Sequence, residues 1–193
     1  AAAGLQTPLV LKGLGHAHKS EAGLVRLSLM PDELADAAAS MTAASGFLVE
    51  EMASPPVAEL LLGVQRDPVY GATLTIGAGG TAAELLRDVV TLVLPVDAGQ
   101  IRAAIDRLTL APLLHGYRGR PASDIDAAVD VAVRLTGILD EIPDSGPAID
   151  EIEINPLMLG QAGAIAVDAV IWMRDTARDE PARDQPGQDK AGP

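Results

Sequence analysis

The chain has 193 residues, enough for one sizeable domain or for two small lobes. Hydrophobic residues make up 48% and aromatic residues only 2%, so a packed core has to be built from Ala, Val, Leu and Ile. The absence of cysteine excludes a disulfide framework, a thiol nucleophile and a cysteine-ligated zinc site, and it fits a cytoplasmic protein. The net charge of −13 argues against a nucleic-acid partner, whose binding needs a basic surface.

Short strands and one helix are predicted for the first third of the chain. Alternating apolar and polar residues indicate strands, and a connector with two prolines separates the last two of them. Pro31 suits the first position of a helix, and the Ala-rich stretch that follows continues this helix to Ser45. The strands are expected at 9–12, 25–29, 47–52 and 57–64.

The remainder alternates strands with helices that begin at recognisable caps. Asp97 and Ser123 are suitable N-cap residues for helices that end near Leu108 and Asp140. A third helix follows a glycine turn and is expected over 81–90. Strands are expected at 73–76, 91–94, 149–155 and 164–171. This order of elements predicts an α+β or mixed α/β domain of two small lobes.

The two ends of the chain differ from the rest. Residues 174–193 are charged, contain proline and have almost no large apolar side chains, so a disordered tail is expected there. No apolar run approaches the roughly 18 residues that span a bilayer, so no membrane partner is expected. The first residues resemble the middle of a longer protein and not a signal peptide.

The segment EIEINPLMLGQAGAIAVDA is the sharpest local signal for chemistry. Gly160 and Gly163 flank a plausible two-residue hairpin turn. Pairing the two strands about this turn places Asn155 directly opposite Asp168, with Glu153 two residues along the same face. An amide oxygen and a carboxylate suit Mg²⁺, which prefers oxygen ligands and keeps waters or phosphates in its shell. A polar hairpin edge that binds nothing is the alternative.

Two further segments could bind anions. In TIGAGGTAAELLRD a strand leads through a glycine turn into a helix, whose first N–H groups favour anions, although a simple tight turn explains the same pattern. In HGYRGRPASD, Arg118 and Arg120 could hold phosphate or carboxylate oxygens, but a surface loop before a capped helix is an equal alternative.

The loop after the first strand contains residues suited to phosphoryl transfer. Lys12 lies at the strand end and could contact a phosphate as a point charge. His18 could accept or guide a phosphoryl group, because imidazole is a competent nucleophile near neutral pH. The alternative for His18 is a solvated loop histidine without a catalytic role. The same alternative holds for His16 and His115, for which fewer observations oppose it.

These segments, read in order, resemble the ATP-grasp subunit of ADP-forming acyl-CoA synthetases, relatives of the succinyl-CoA synthetase β subunit. The resemblance extends from Leu9 to Ile171, and six matching stretches in the family's order make it specific. They are HKSEAGLVRL, FLVEEM, AELLLGVQRDPVYG, IGAGGTAAELLRD, LLHGYRGRPASD, and EIEINPL with AVDA.

The resemblance implies a fold, a domain extent and a set of site residues. The implied fold is ATP-grasp, in which two α+β lobes hold ATP between them, over residues 1–173. The implied roles are nucleotide phosphate contact for Lys12, the hinge beside adenine and ribose for Glu50, Glu51 and Met52, phosphate contact for Arg118, Mg²⁺ ligation for Asn155 and Asp168, and phosphoryl transfer for His18.

The resemblance also implies a reaction and a partner. The implied reaction is acyl-CoA + ADP + phosphate ⇌ carboxylic acid + CoA + ATP, through an acyl phosphate and phosphohistidine, with ATP or ADP and Mg²⁺ bound by this chain. Positioning and charge neutralisation supply most of the catalysis in such transfers. The principal phosphohistidine belongs to a CoA-binding partner subunit or domain, through which CoA and a small carboxylic acid are bound.

Two departures from the family pattern leave other interpretations open. The family has a further segment before the position of Ala1, so we expect a fragment or a subunit completed by another chain. Gly23-Leu24 replaces the usual Gly-Gly in the loop near His18. A non-catalytic nucleotide-sensing domain of an acetyltransferase fusion and an ATP-grasp ligase of another substrate class are the alternatives to the synthetase.

Overall fold

The computed structural model describes residues 4–15, 19, 22–80, 86–141 and 149–173. The chain divides into two compact units, Ala1–Pro56 (unit 1) and Val57–Pro193 (unit 2). The expected tail at 174–193 lies outside the described residues.

Unit 1 contains a three-stranded antiparallel sheet with its first strand in the centre. The strands are β1 (Leu9–Gly13), β2 (Val25–Leu29) and β3 (Phe47–Glu51), in the spatial order β2-β1-β3. One helix, α1 (Leu34–Ser40), packs beside them. Leu11, Leu24 and Met41 form the buried cluster of this unit, so aliphatic and thioether side chains supply the core that the low aromatic content predicts.

Helix α1 is shorter than the predicted 31–45 helix at both ends. At the start, a turn over Met30–Glu33 replaces helix, because the Glu33 carboxylate accepts a hydrogen bond from the Met30 N–H at 2.7 Å. At the end, the Ser40 hydroxyl donates to the Ala37 carbonyl at 2.7 Å, a local bond that competes with the helical pattern.

Unit 2 is built on a six-stranded antiparallel sheet. The spatial order is β6-β5-β4-β7-β8, and β9 also pairs with β7. The strands are β4 (Ala58–Asp67), β5 (Gly71–Ala78), β6 (Val89–Val93), β7 (Ile149–Leu159), β8 (Ala164–Ala166) and β9 (Ala169–Met173).

Helices cover one face of this sheet and close the main core. They are α2 (Ala98–Asp106), α3 (Ala111–Leu114) and α4 (Ile125–Glu141). Ala128, Ala132, Leu135 and Leu139 recur at helical spacing on α4 and are buried. They pack in one cluster with Ile101 and Ile105 of α2 and with sheet residues such as Leu60, Leu62, Leu74, Ile76, Ile152 and Leu157.

The strands and the helices of unit 2 depart from the prediction at three places. Val89 and Val90 belong to β6 and not to a helix, because they pair with Gly77 and Ile76 of β5 and their branched side chains suit a strand. The strand predicted over 164–171 is interrupted at 167–168 and continues to Met173 as β9.

The cap of α4 is also corrected. Asp124, and not Ser123, caps the helix, and its carboxylate accepts a hydrogen bond from the Ala127 N–H at 3.0 Å. Ser123 instead donates its hydroxyl to the Leu114 carbonyl at 3.1 Å. Asp97, by contrast, is the predicted cap of α2, and it forms a reciprocal capping box with Gln100.

Candidate functional site

The β7–β8 hairpin has the register that the sequence predicts. Gly160 donates its N–H to the Gly163 carbonyl at 3.1 Å, and Gly163 has a φ of 82°, as the turn requires. Leu157 pairs with Ala166, and Ile154 pairs with Ala169. Between these pairs, the Asn155 N–H donates to the Asp168 carbonyl at 3.2 Å. The backbones of the two predicted metal ligands are therefore opposite each other, with Asn155 in β7 and Asp168 in the break between β8 and β9.

Asn155 lies at an irregularity on the other side of β7. Against β4, Ile154 pairs with Leu62 and Leu157 with Leu60, so β7 has one residue more than β4 between these pairs. This extra residue changes which side chains face the core, from Ile152 and Ile154 before it to Leu157 and Leu159 after it. Bulges of this kind redirect side chains and are frequent beside functional sites.

The Asn155 side chain contacts the glycine turn that follows β5. Its Oδ1 accepts a hydrogen bond from the Gly80 N–H at 2.9 Å. Gly80 has a φ of 63°, in the left-handed region that favours glycine, and the atom closest to an added Cβ would be Oε2 of the flexible Glu59 side chain. The Asn155 side chain thus connects the hairpin to the glycine turn, two segments that the sequence analysis treats separately.

The amide oxygen of Asn155 and the carboxylate of Asp168 are ligand types that suit Mg²⁺. The carboxylate of Asp168 is oriented by a 3.1 Å hydrogen bond from the Ala169 N–H. In the described part of the chain, no group of three or more His, Cys, Asp or Glu side chains could hold a metal ion. Mg²⁺ is often held by one or two protein carboxylates, with waters and substrate phosphates as its other ligands.

Glu151 and Glu153 add negative charge to the same strand. Partial burial, and then the repulsion of Glu153, raise the pKa of Glu151 above its ordinary value. A bound cation would oppose this effect, because it favours the ionised carboxylate. The strand therefore presents one carboxyl group, that of Glu151, whose ionised form is disfavoured.

Lys12 of unit 1 forms an ion pair with Glu50. Lys12 pairs with Leu48, and Glu50 pairs with Val10, so Lys12 and Glu50 are diagonal neighbours on one face of the sheet. Their Nζ and Oε2 atoms are 2.6 Å apart, with the side chains 11% and 38% exposed. Two of the predicted nucleotide contacts therefore lie together.

Glu51 and Met52 are fixed by the segment before β1. The Glu51 carboxylate accepts the Gln6 N–H at 2.9 Å, and the Met52 N–H donates to the Pro8 carbonyl at 2.9 Å. The Ser28 hydroxyl also contacts the Met52 sulfur at 3.4 Å. The predicted hinge strand is thus anchored by hydrogen bonds within unit 1.

Arg118 lies in an exposed turn. None of its described contacts is with Asn155 or Asp168. It has a φ of 50°, between Gly116 and Gly119, which also have positive φ. Its guanidinium lies 5.3 Å from the centroid of the Tyr117 ring, in a cation–π contact. Arg120 instead donates to the Val57 carbonyl at 3.4 Å, which is a structural role.

Of the three histidines, only His115 lies among the described residues. His16 and the predicted catalytic residue His18 lie outside the described residues. His115 contacts the Asp106 carboxylate with its Nε2 at 2.7 Å, on the surface of unit 2. This contact supports the surface role that was the alternative for His115.

Asp124 is a residue of this region that the sequence did not single out. Besides capping α4, its carboxylate accepts the Gly163 N–H at 2.7 Å, and its own N–H donates to the Gly160 carbonyl at 2.8 Å. The hydrogen bond from Gly163, and then that from Ala127, lower the pKa of Asp124. Asp124 thereby connects the helix to the hairpin turn. The sequence does not identify it because the adjacent Ser123 is also a suitable N-cap residue.

This chain matches one family model and is similar to several CoA ligases and synthases. A family model described as an ATP-grasp domain matches residues 1–173. Trans-feruloyl-CoA synthase FCS1 from an unknown prokaryotic organism is 34% identical over 186 residues, which cover 89% of this chain and 26% of that protein. Subunit beta of the ADP-forming acetate–CoA ligase II of Pyrococcus furiosus is 32% identical over 131 residues, which cover 67% and 54%.

A solved structure has the same fold. The dinucleotide forming acetyl-coenzyme A synthetase 1 of Ca. Korarchaeum cryptofilum, in complex with coenzyme A and Mg-AMPPCP, superposes with a TM-score of 0.74 at 33% identity. The match covers 87% of this chain and 77% of that one, and it confirms the α+β, ATP-grasp fold that the sequence predicts.

This chain is shorter than the relatives it matches. It spans about a quarter of the feruloyl-CoA synthase and about half of the acetate–CoA ligase subunit. No helix in the described ranges combines the length and apolar character that crossing a membrane requires.

Proposed function

Because the chain belongs to the ATP-grasp domain family, we propose that it is the nucleotide-binding part of an ADP-forming acyl-CoA synthetase. Its relatives named above are CoA ligases and synthases, and the acetate–CoA ligase is ADP-forming. The observation that carries the proposal is the hairpin register, which brings Asn155 opposite Asp168 as a Mg²⁺–nucleotide site requires.

Residues of both units are assigned roles in nucleotide binding. In unit 2, Asn155 and Asp168 hold Mg²⁺, which neutralises phosphate charge when bound. In unit 1, Lys12 contacts a phosphate, while the backbone of Glu50, Glu51 and Met52 borders the adenine and ribose. Arg118 is assigned a phosphate contact because its exposed guanidinium is available in a glycine-rich turn.

The proposed reaction is acyl-CoA + ADP + phosphate ⇌ carboxylic acid + CoA + ATP. Phosphate displaces CoA from the acyl carbon, histidine takes the phosphoryl group from the acyl phosphate, and ADP takes it from histidine. In the similar Korarchaeum synthetase, a phosphohistidine segment points towards the nucleotide binding site. By analogy, we assign CoA binding and the principal phosphohistidine to a partner subunit or domain, and a supporting transfer role to His18.

The first test is nucleotide binding by the chain itself. Asp168→Ala should lower the affinity for ADP in Mg²⁺ by at least about tenfold, because changes to groups around a bound metal already cost 10–100-fold. In EDTA the same variant should bind ADP as the unchanged chain does. Isothermal titration calorimetry measures both.

Asp130→Ala is the matched control, since Asp130 is an exposed aspartate on α4. It should bind Mg²⁺·ADP normally. A chain without ADP affinity, or a loss in Asp168→Ala that is equally large in EDTA, would contradict the proposal.

A further inference from the structure

The glycine turn after β5 is held by three hydrogen bonds from successive N–H groups. Ala78 donates to the Asp88 carbonyl, Gly79 to the Glu59 carbonyl, and Gly80 to Oδ1 of Asn155, each at 2.9 Å. The first two acceptors are backbone atoms. The third is a side chain from β7, 75 residues further along the chain.

The position of Gly80 is built for this third hydrogen bond. Its positive φ favours glycine, and a Cβ on the neighbouring Gly79 would lie 2.4 Å from the backbone of Leu60 in β4. The turn can therefore lie against β4, with the Gly80 N–H directed at β7. Asn155 is placed to receive it because the extra residue in β7 occurs there.

We propose that Asn155 is a latch as well as a metal ligand: its Oδ1 fixes the glycine turn, so that turn order and cation binding are coupled through one side chain. A carbonyl oxygen has two lone pairs, so the same atom can accept the Gly80 N–H and face a cation. The cation part of this inference rests on the proposed nucleotide function, whereas the latch itself does not.

The latch separates the roles of the two predicted metal ligands. Asn155→Ala removes both the acceptor for Gly80 and the metal ligand. Asp168→Ala removes the predicted ligand and leaves the Asn155 Oδ1–Gly80 N–H hydrogen bond itself in place. Asn155→Asp retains an oxygen acceptor and should rescue both functions.

The test is amide hydrogen exchange at Gly80, followed by NMR in the 193-residue chain without Mg²⁺ or nucleotide. Gly80 should be protected in the unchanged chain, in Asp168→Ala and in Asn155→Asp. In Asn155→Ala it should exchange about tenfold faster, the effect of losing one hydrogen bond. Amides of the β4–β5 ladder should not change, which shows that the variant is folded.

A second readout tests the coupling. Asn155 is the only asparagine of the chain, so selective ¹⁵N-asparagine labelling gives one side-chain amide signal to follow. Mg²⁺·ADP should shift this signal and slow Gly80 exchange further in the unchanged chain, and should do neither in Asp168→Ala.

The outcomes distinguish the latch from the proposed function. A Gly80 amide that exchanges freely, or that is equally protected in Asn155→Ala, overturns the latch. Gly80 protection that depends on Asn155 in a chain without ADP affinity supports the latch and contradicts the nucleotide function. Mg²⁺·ADP binding that leaves Gly80 exchange unchanged overturns the coupling.

Discussion

Single residues of this chain combine roles that a sequence pattern assigns one at a time. Lys12 was predicted from its position at a strand end, and Glu50 from its place in a hinge strand, yet the structure joins them in a 2.6 Å ion pair. Asn155 was predicted as a metal ligand, yet its amide oxygen also holds Gly80. Strand pairing determines which side chains contact each other, and a single sequence position does not show this pairing.

The Lys12–Glu50 pair leads to a prediction about stability. Lys12→Met should lower the free energy of unfolding by about 1–2 kcal/mol, because it leaves the half-buried Glu50 carboxylate without its cation. Lys12→Met combined with Glu50→Gln should be more stable than Lys12→Met alone. Urea unfolding of the two single variants and the double variant completes the double-mutant cycle.

The same variants separate stability from binding. ADP affinity should be reduced in both Lys12→Met and the double variant, since neither retains the phosphate contact. Full ADP affinity in the folded double variant would contradict the proposed role of Lys12.

At the scale of elements, the position of the hairpin turn depends on a helix cap. Asp124 accepts N–H groups from both α4 and Gly163, so the start of the helix and the hairpin turn are fixed by one carboxylate. Since the turn sets the register of β7 with β8 and β9, this cap supports the opposition of Asn155 and Asp168.

The lowered pKa of Asp124 gives this cap a defined pH dependence. A carboxyl group whose pKa is lower in the folded than in the unfolded protein stabilises the folded protein. This stabilisation is complete above the unfolded pKa of about 3.9, and it is lost as the pH falls through the folded-state pKa. Asp124→Ala should therefore have a lower Tm than the unchanged chain at pH 7, and the difference should narrow below pH 4. Differential scanning calorimetry between pH 3 and pH 7 measures this difference; a constant gap would contradict the assignment.

Two glycines of unit 2 should respond oppositely to alanine. A Cβ on Gly79 would lie 2.4 Å from the backbone of Leu60, so Gly79→Ala should destabilise by about 2 kcal/mol or more. A Cβ on Gly137, within α4, meets no described atom within 4 Å, so Gly137→Ala should stabilise by about 0.5–1 kcal/mol. Urea midpoints of the two variants test the pair, and a stabilising Gly79→Ala would show that the turn is not packed against β4.

At the scale of the whole molecule, the two units have cores of different size. The main core of unit 2 takes side chains from three strands and three helices, whereas the buried cluster of unit 1 consists of Leu11, Leu24 and Met41. A domain of about 60 residues buries a smaller fraction of its surface on folding than a larger one, and its stability is correspondingly marginal.

This difference predicts how the units behave in isolation. Residues 57–173 alone should retain β-rich circular dichroism and melt cooperatively, whereas residues 1–56 alone should not. Circular dichroism of the two purified fragments against temperature measures this. A cooperative transition in fragment 1–56, or its absence in fragment 57–173, would contradict the division. The predicted boundary at residue 173 and the tail beyond it stay predictions.

The sequence by itself determined the α+β class, most strands, the cap at Asp97 and the opposition of Asn155 and Asp168. These features depend on local periodicity and on a two-residue turn, and both can be read within a few residues. Only the tertiary structure decided that Val89 and Val90 form a strand, because their pairing with β5 outweighs the local helical pattern. It also decided the Asn155–Gly80 and Lys12–Glu50 contacts, because residues 75 and 38 positions apart meet only once the sheets have formed.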